Sequence, residues 1–143
     1  MNTVVIRQAT CQDTTKLADL LAQMGYPQYL ERLDAKIQSL LNNPQEHLLV
    51  AEYQQQVCGF LSLHFIPQLA VEGDFARISY FCIDEKFRNL KIGKTMLDYA
   101  EALAIQQGCD RMELHSAEYR IDAHRFYFNH DYIESPKYLT KKL

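Results

Sequence analysis

The chain has 143 residues, 48% of them apolar, which fits one domain with a sizeable core and excludes a disordered chain. Its formal net charge of −3 argues weakly against a nucleic-acid protein, because phosphate backbones demand clustered basic charge. No apolar run approaches the ~18 residues needed to span a bilayer, and the opening MNTVVIRQAT lacks the basic-then-apolar pattern of a signal peptide. A cytoplasmic address follows as the expectation, with neither nucleic acid nor membrane as a partner.

In chain order, VVIRQAT reads as a first strand. TCQD then offers a capping box, with Thr10 as N-cap and Asp13 three residues on. Leu17, Leu20, Leu21 and Met24 follow at helical spacing and Gly25 ends the run. A second helix fits Leu33, Ile37, Leu40 and Leu41 and stops near NNP. HLLVAEY and VCGFLSLHF read as adjacent strands joined by a short glutamine turn, and PQLAVEGD as a loop. ARISYFCI is rich in aromatic and β-branched residues without clean polar alternation, which predicts a central strand buried on both faces. Met96, Leu97, Ala100, Leu103 and Ala104 mark one face of a long helix ended by Gly108. RMELHS is a further strand, DAHRFYFNH a short helix with Asp122 as its N-cap, and KYLTKKL a last strand. The order β-α-α-β-β-β-α-β-α-β implies an α/β chain with a mixed sheet covered on both sides.

Cys11, Cys58, Cys82 and Cys109 form no C-x-x-C pair and have no metal spacing, so reduced and mostly packed thiols are expected. No paired histidines suggest a metal either.

The junction FRNLKIGKTML, residues 87–97, joins the central strand to the long helix. A helix start leaves backbone N–H groups without partners and carries a partial positive charge, and a phosphate placed there satisfies both. Gly93 lets a ligand approach the backbone, and Lys91 and Lys94 add charge. From these residues alone a solvated basic turn is an equal reading. The Walker spacing is absent.

With its surroundings, FCIDEKFRNLKIGKTML resembles the R/Q-x-x-G-x-G/A fingerprint of the GCN5-related N-acetyltransferase (GNAT) superfamily. The downstream AHRFYFNHDY is similar to that family's A-x-x-F-Y-x-x-x-G-F/Y block. The wording looks most like small bacterial members, of which the aminoalkylphosphonate N-acetyltransferases are one group. The resemblance covers nearly the whole chain and implies one domain over residues 1–143, with about six to seven strands and helices on both faces. It also implies acetyl-CoA as cofactor, its pyrophosphate held by Arg88, Asn89, Leu90, Lys91, Ile92, Gly93 and Lys94, largely through backbone amides. Cys82 and Ile83 would offer backbone groups to the pantetheine arm. Three residues depart from the family wording: Lys91 stands at the first motif glycine, Asn89 follows the arginine where glycine is common, and Asp131 replaces the glycine before the final aromatic. Aspartate tolerates a left-handed backbone better than most residues, so that last turn is expected to survive.

Acetyl transfer to an amine requires a lost proton, a stabilised carbonyl oxygen and a departing thiolate. An alkyl amine with pKa ~10.4 needs about 4–5 kcal/mol to become neutral at physiological pH. Tyr127 matches the family tyrosine that protonates or hydrogen-bonds the thiolate, while from the residues alone it reads as a packed aromatic. The central strand holds no carboxylate where many relatives place a base; Tyr80 and Ser79 occupy that region. A neutral tyrosine is a poor base, so a water relay with His64 or Glu118 is the expectation, set against His64 as a solvent-facing strand residue. His115 and His124 are expected to be structural. Cys82 has no cation or histidine near it in sequence to lower its pKa, which favours direct transfer over a covalent enzyme intermediate.

The function implied is transfer of an acetyl group to a primary amine of a small molecule. A non-catalytic CoA-binding regulator and a protein N-acetyltransferase are the alternatives. A closed acceptor pocket rimmed by Tyr26, Tyr29, His64 and Tyr80 would favour the first, and a phosphonate acceptor would need cations such as Arg77 and Arg120. Dimers are common among relatives, so a homodimer stands open.

Overall fold

The computed structural model describes residues 3–117, 120–134 and 138–143. Strand β1 (Val5–Gln8) is followed by helices α1 (Thr14–Gln23) and α2 (Leu30–Leu41). Next come strands β2 (Glu46–Tyr53), β3 (Gln56–Ile66) and β4 (Asp74–Ile83), helix α3 (Ile92–Gln106), strand β5 (Cys109–Leu114) and helix α4 (Ile121–Phe128). The five strands form one mixed sheet in the order β1-β2-β3-β4-β5, in which β1 to β4 are antiparallel neighbours. The chain divides into two compact units, Met1–Glu113 and Leu114–Leu143. No helix among the described residues is long and apolar enough to cross a membrane.

The local signals act largely as their chemistry dictates. The Thr10 and Asp13 capping box forms, and closes a 3-10 turn (Cys11–Asp13) that runs directly into α1. Asp13 is buried and receives a two-pronged hydrogen bond from Arg7 at 2.8 and 2.9 Å, which holds its carboxyl below the usual range. Gln54 and Gln55, with φ of 53° and 64°, turn β2 into β3, so the left-handed pair that usually falls to Asn-Gly is made here by glutamines. Asp131 takes the left-handed conformation expected of it, at φ 69°.

The pleat of β2–β4 sorts side chains to two faces. Leu48, Val50, Phe60 and Cys82 pack with Leu17, Leu20, Leu33 and Ile37 of α1 and α2. On the opposite parity, Gly59 faces α3. A Cβ there would come within 2.7 Å of the Ile83 side chain, 3.0 Å of the Cys82 carbonyl and 3.3 Å of the Met96 sulfur. Gly59 thus lets β3, β4 and α3 approach one another. Gly59→Ala is expected to destabilise the protein by about 1–3 kcal/mol in urea unfolding; a change within ~0.5 kcal/mol would show that these neighbours yield freely.

Four expectations are corrected. Among the described residues there are five strands rather than six to seven, and Tyr138–Leu143 form no strand: Tyr138, Leu139 and Leu143 are exposed and no ladder pairs them, so β-propensity finds no partner edge. Arg120, not Asp122, occupies the N-cap of α4, and Asp122 serves as a first-turn acidic residue that complements the helix dipole. Strand β4 is not buried on both faces: Ser79 and Tyr80 are exposed, because the ladder slips there from Leu63↔Ile78 to Ser62↔Tyr80. The four cysteines are free, but Cys11 is exposed and Cys109 only half-buried.

Candidate active site

The slip in β4 leaves Ser79 as an extra residue without a ladder partner, a β-bulge. A regular strand sends consecutive side chains to opposite faces; at the bulge Ser79 and Tyr80 both reach the face that carries Ser62 and His64 of β3. These four residues line one part of a cavity of about 440 Å³ between the sheet and helices α1 and α2. That volume suits a small molecule. Tyr26 packs edge-on against Tyr80, with ring centroids 5.6 Å apart, and fixes the phenol at the rim. Arg32 and Lys36 of α2 contribute positive charge, and no Asp or Glu is among the lining residues. Tyr29 does not join them; it is 83% exposed at the N-cap of α2.

His64 is held at both ring nitrogens. Nδ1 faces Glu46 Oε2 in a short contact, and Nε2 lies 2.5 Å from Ser79 Oγ. Glu46 and His64 are direct ladder partners on β2 and β3, which brings a carboxylate to the imidazole. With Glu46 ionised, Nδ1 carries the proton and donates it, leaving Nε2 to accept from the serine hydroxyl. His64 lines the cavity together with Tyr80. Glu118 lies outside the described residues. Arg77 is withdrawn as an acceptor ligand, because its guanidinium is tied to Glu113. Arg120 belongs to the C-terminal unit.

The end of β4 leads into the loop before α3. Asp84 is 1% exposed and organises the turn: its backbone N–H donates to Cys58 O, and its carboxylate accepts from the Lys86 amide at 3.1 Å and from Lys16 Nζ at 2.5 Å. Burial pushes the Asp84 carboxyl up, but these donors together with Gln23 outweigh it and hold it below the usual carboxylate range. Arg88 folds back so that Nε donates to the Ile83 carbonyl at 3.3 Å. Asn89 and Lys91 both take left-handed conformations, at φ 66° and 62°. Lys91 is the N-cap of α3 and gives its helix start no side-chain cap.

These observations test the fit of a diphosphate. The backbone N–H groups of Ile92, Gly93 and Lys94 precede the first helical bond, Thr95 N–H to Lys91 O, and have no intrahelical acceptor. A lysine in a left-handed conformation costs about 1 kcal/mol, and such strain persists where the surrounding structure needs the shape. The backbone at Lys91 has the shape a glycine would take, and the side chain is exposed. Leu90 is also exposed, and Lys94 leans along the helix to Asp98 at 2.6 Å. The loop fits the group through its main chain.

Cys82 is buried, with its sulfur 3.7 Å from the carbonyl oxygen of Leu20. In the C-terminal unit Tyr127 is half-buried on α4 and lies near the rings of Phe126 and Tyr132. Burial pushes its phenol up to about 12, opposed in part by Arg120, so it is protonated at neutral pH. His124 Nε2 bonds the Ala117 carbonyl at 2.8 Å and His115 stacks on Tyr138, structural places for both.

Sequence reasoning missed Glu46, Arg32 and Lys36 and gave Ser79 no role. The Glu46 pairing depends on the turn at Gln54–Gln55 and on a register shift between Ala51 and Glu52, which no local pattern announces.

The chain belongs to the acetyltransferase (GNAT) family, which matches residues 13–131. It is 31% identical over 140 residues to an aminoalkylphosphonate N-acetyltransferase of Salmonella typhimurium, covering 96% of this chain and 90% of that protein. Its fold is shared with a crystal structure described as a transcriptional regulator from Bacillus halodurans, at TM-score 0.90 and 23% identity over 99% of this chain and 100% of that one. The aminoglycoside N-acetyltransferase AAC(6')-Iy, solved in complex with CoA, matches at TM-score 0.87 and 12% identity over 100% of this chain and 96% of that one. The family uses acetyl-CoA, and the chain is an N-acetyltransferase, an acyltransferase of class EC 2.3.1.

Proposed function

We propose that residues 1–143 work as one acetyltransferase domain that transfers an acetyl group directly to the primary amine of a small molecule bearing an anionic group. The observation that carries this reading is the cavity: His64, Ser79 and Tyr80 line it on the sheet side, Arg32 and Lys36 on α2, with no acidic lining residue. A cationic wall binds phosphonate or carboxylate through charge-assisted hydrogen bonds. The name of the Salmonella relative is consistent with a phosphonate there.

In this reading the amides of Ile92, Gly93 and Lys94, flanked by Arg88, Asn89, Leu90 and Lys91, hold the diphosphate of acetyl-CoA, and the backbone at Cys82 and Ile83 meets its pantetheine arm. The bound cofactor supplies an activated thioester. His64 takes the proton of the incoming ammonium, Tyr80 borders the amine, and Tyr127 donates a hydrogen bond to the departing sulfur. A small-molecule acceptor is preferred to a protein substrate, because the cavity volume is of ligand size.

The test is thiol release from acetyl-CoA with 2-aminoethylphosphonate, ethylamine and a short peptide offered in turn. The phosphonate is expected to exceed ethylamine at least tenfold in kcat/KM, roughly one charge-assisted contact's worth. Equal rates would remove the anionic acceptor. Faster peptide turnover would make the chain a protein acetyltransferase. No release with any amine, alongside stabilisation by CoA, would leave a non-catalytic binder.

A further inference from the structure

We infer that Ser79 and Glu46 complete a proton relay with His64, in which the serine hydroxyl receives the acceptor amine's proton and the carboxylate positions and charges the imidazole. The inference rests on the acetyl-transfer reading above, and concerns how the amine becomes neutral on a strand with no carboxylate.

The arrangement is specific. Glu46 lies opposite His64 in the β2–β3 ladder and contacts Nδ1; Ser79 Oγ is 2.5 Å from Nε2. Ser79 is exposed and lines the cavity, whereas Glu46 is half-buried and does not. The bulge turns the serine toward the same face as His64. An acceptor in the cavity therefore meets the hydroxyl beside Tyr80, and Glu46 acts only through the histidine. Glu46 is a positioning residue and Ser79 a catalytic one.

The step balances. The substrate ammonium N–H bond breaks as its proton passes to Ser79 Oγ, and the serine's own proton passes to His64 Nε2. Serine ends as it began, the amine becomes neutral with its lone pair free for the acetyl carbon, and the imidazole becomes imidazolium beside the Glu46 carboxylate. An ordinary imidazole lies about four pKa units below an alkyl ammonium, so the transfer is uphill, and the Glu46 carboxylate in contact with Nδ1 orients the ring that receives the proton. Other charged or titratable groups face His64 as well. Arg77 is its ladder partner on β4 but is paired with Glu113, Tyr80 stands on β4, Tyr26 precedes α2, and Arg32 and Lys36 come from α2 across the cavity. The carboxylate at Nδ1 is the one anion in direct contact with the ring among these groups.

The experiment measures kcat for wild type, Ser79→Ala and Glu46→Gln with acetyl-CoA and 2-aminoethylphosphonate from pH 6.5 to 10. At pH 7 each variant is expected to lose about 10–100-fold. The deficit should shrink severalfold by pH 10, where solution supplies neutral amine and a relay is not needed. A merely structural role would reduce activity by one factor at all pH values, and that result overturns the relay, as does an unchanged rate at pH 7. Intact mass after incubation with acetyl-CoA alone should be unaltered. A gain of about 42 Da, abolished by Ser79→Ala, would make the serine an acyl carrier and also overturn the relay. Wild type inactive on every amine would sink the acetyl-transfer reading and the relay with it, whereas an active wild type with pH-independent deficits sinks the relay alone.

Discussion

Tyr127→Phe is expected to lower kcat about 100-fold, with little change in KM for acetyl-CoA. The reason lies in what a phenol raised to about 12 can do. Full proton transfer to a thiolate of ordinary pKa, ~8.5, would be uphill by several units, so in the proposed role the hydroxyl would act as a hydrogen-bond donor to developing charge on sulfur. That interaction exists only as the bond breaks, which places the loss in kcat and not in binding. The expected penalty is about 2.7 kcal/mol. Phenylalanine preserves the ring and its neighbours Phe126 and Tyr132, so the fold should be kept. A kcat within twofold of wild type would return Tyr127 to the role of a packed aromatic.

The second large effect is on stability. Lys16→Met leaves the Asp84 carboxylate, 1% exposed, without the ammonium that now sits 2.5 Å away. Removing one partner of such a pair costs about 3 kcal/mol, or roughly 10 °C in Tm for a chain of this size. The sign of the pH dependence follows from the lowered pKa of Asp84. Its stabilisation is present above the ordinary carboxylate pKa of ~3.9 and is lost as pH falls through the lower folded value. In the variant burial dominates and the carboxyl prefers its proton, so the gap between variant and wild type should be widest near pH 7 and narrow toward pH 4. Lys16→Met combined with Asp84→Asn should recover part of the loss, since the amide oxygen can still accept from the Lys86 N–H. Thermal unfolding at pH 7 and pH 4 checks this, and a gap that does not depend on pH would mean the loss is one of packing. Because Asp84 anchors the turn ahead of Arg88, the single variant should also bind CoA more weakly.

Much of the fold was legible because its signals are local. The capping box at Thr10, the apolar stripes of α1 to α3 and the glycines at positions 25 and 108 each act within one turn of chain. The loop between β4 and α3 was legible for the same reason, being a contiguous run. What escaped was set by pairing at a distance. The union of Glu46 with His64 joins residues 18 apart through a ladder register, and the exposure of Ser79 depends on one unpaired residue in β4. Arg77 misled because its charge is spent on Glu113, 36 residues away, while the cavity draws its cations from α2. Lys91 departs from the family glycine in side chain but not in backbone, since φ of 62° is a shape that a motif written in letters does not record.

The extra residue in β4 has a cost that explains its placement. Deleting Ser79 would leave a more regular ladder and a tidier sheet, but a strand of strict alternation cannot offer two neighbouring side chains to one chamber. The chamber would then keep the Tyr80 phenol and lose the serine hydroxyl, and the space under α2 would become a container with half its tools. The irregularity marks the place where the sheet gives up regular pairing so that two neighbouring side chains can face one cavity.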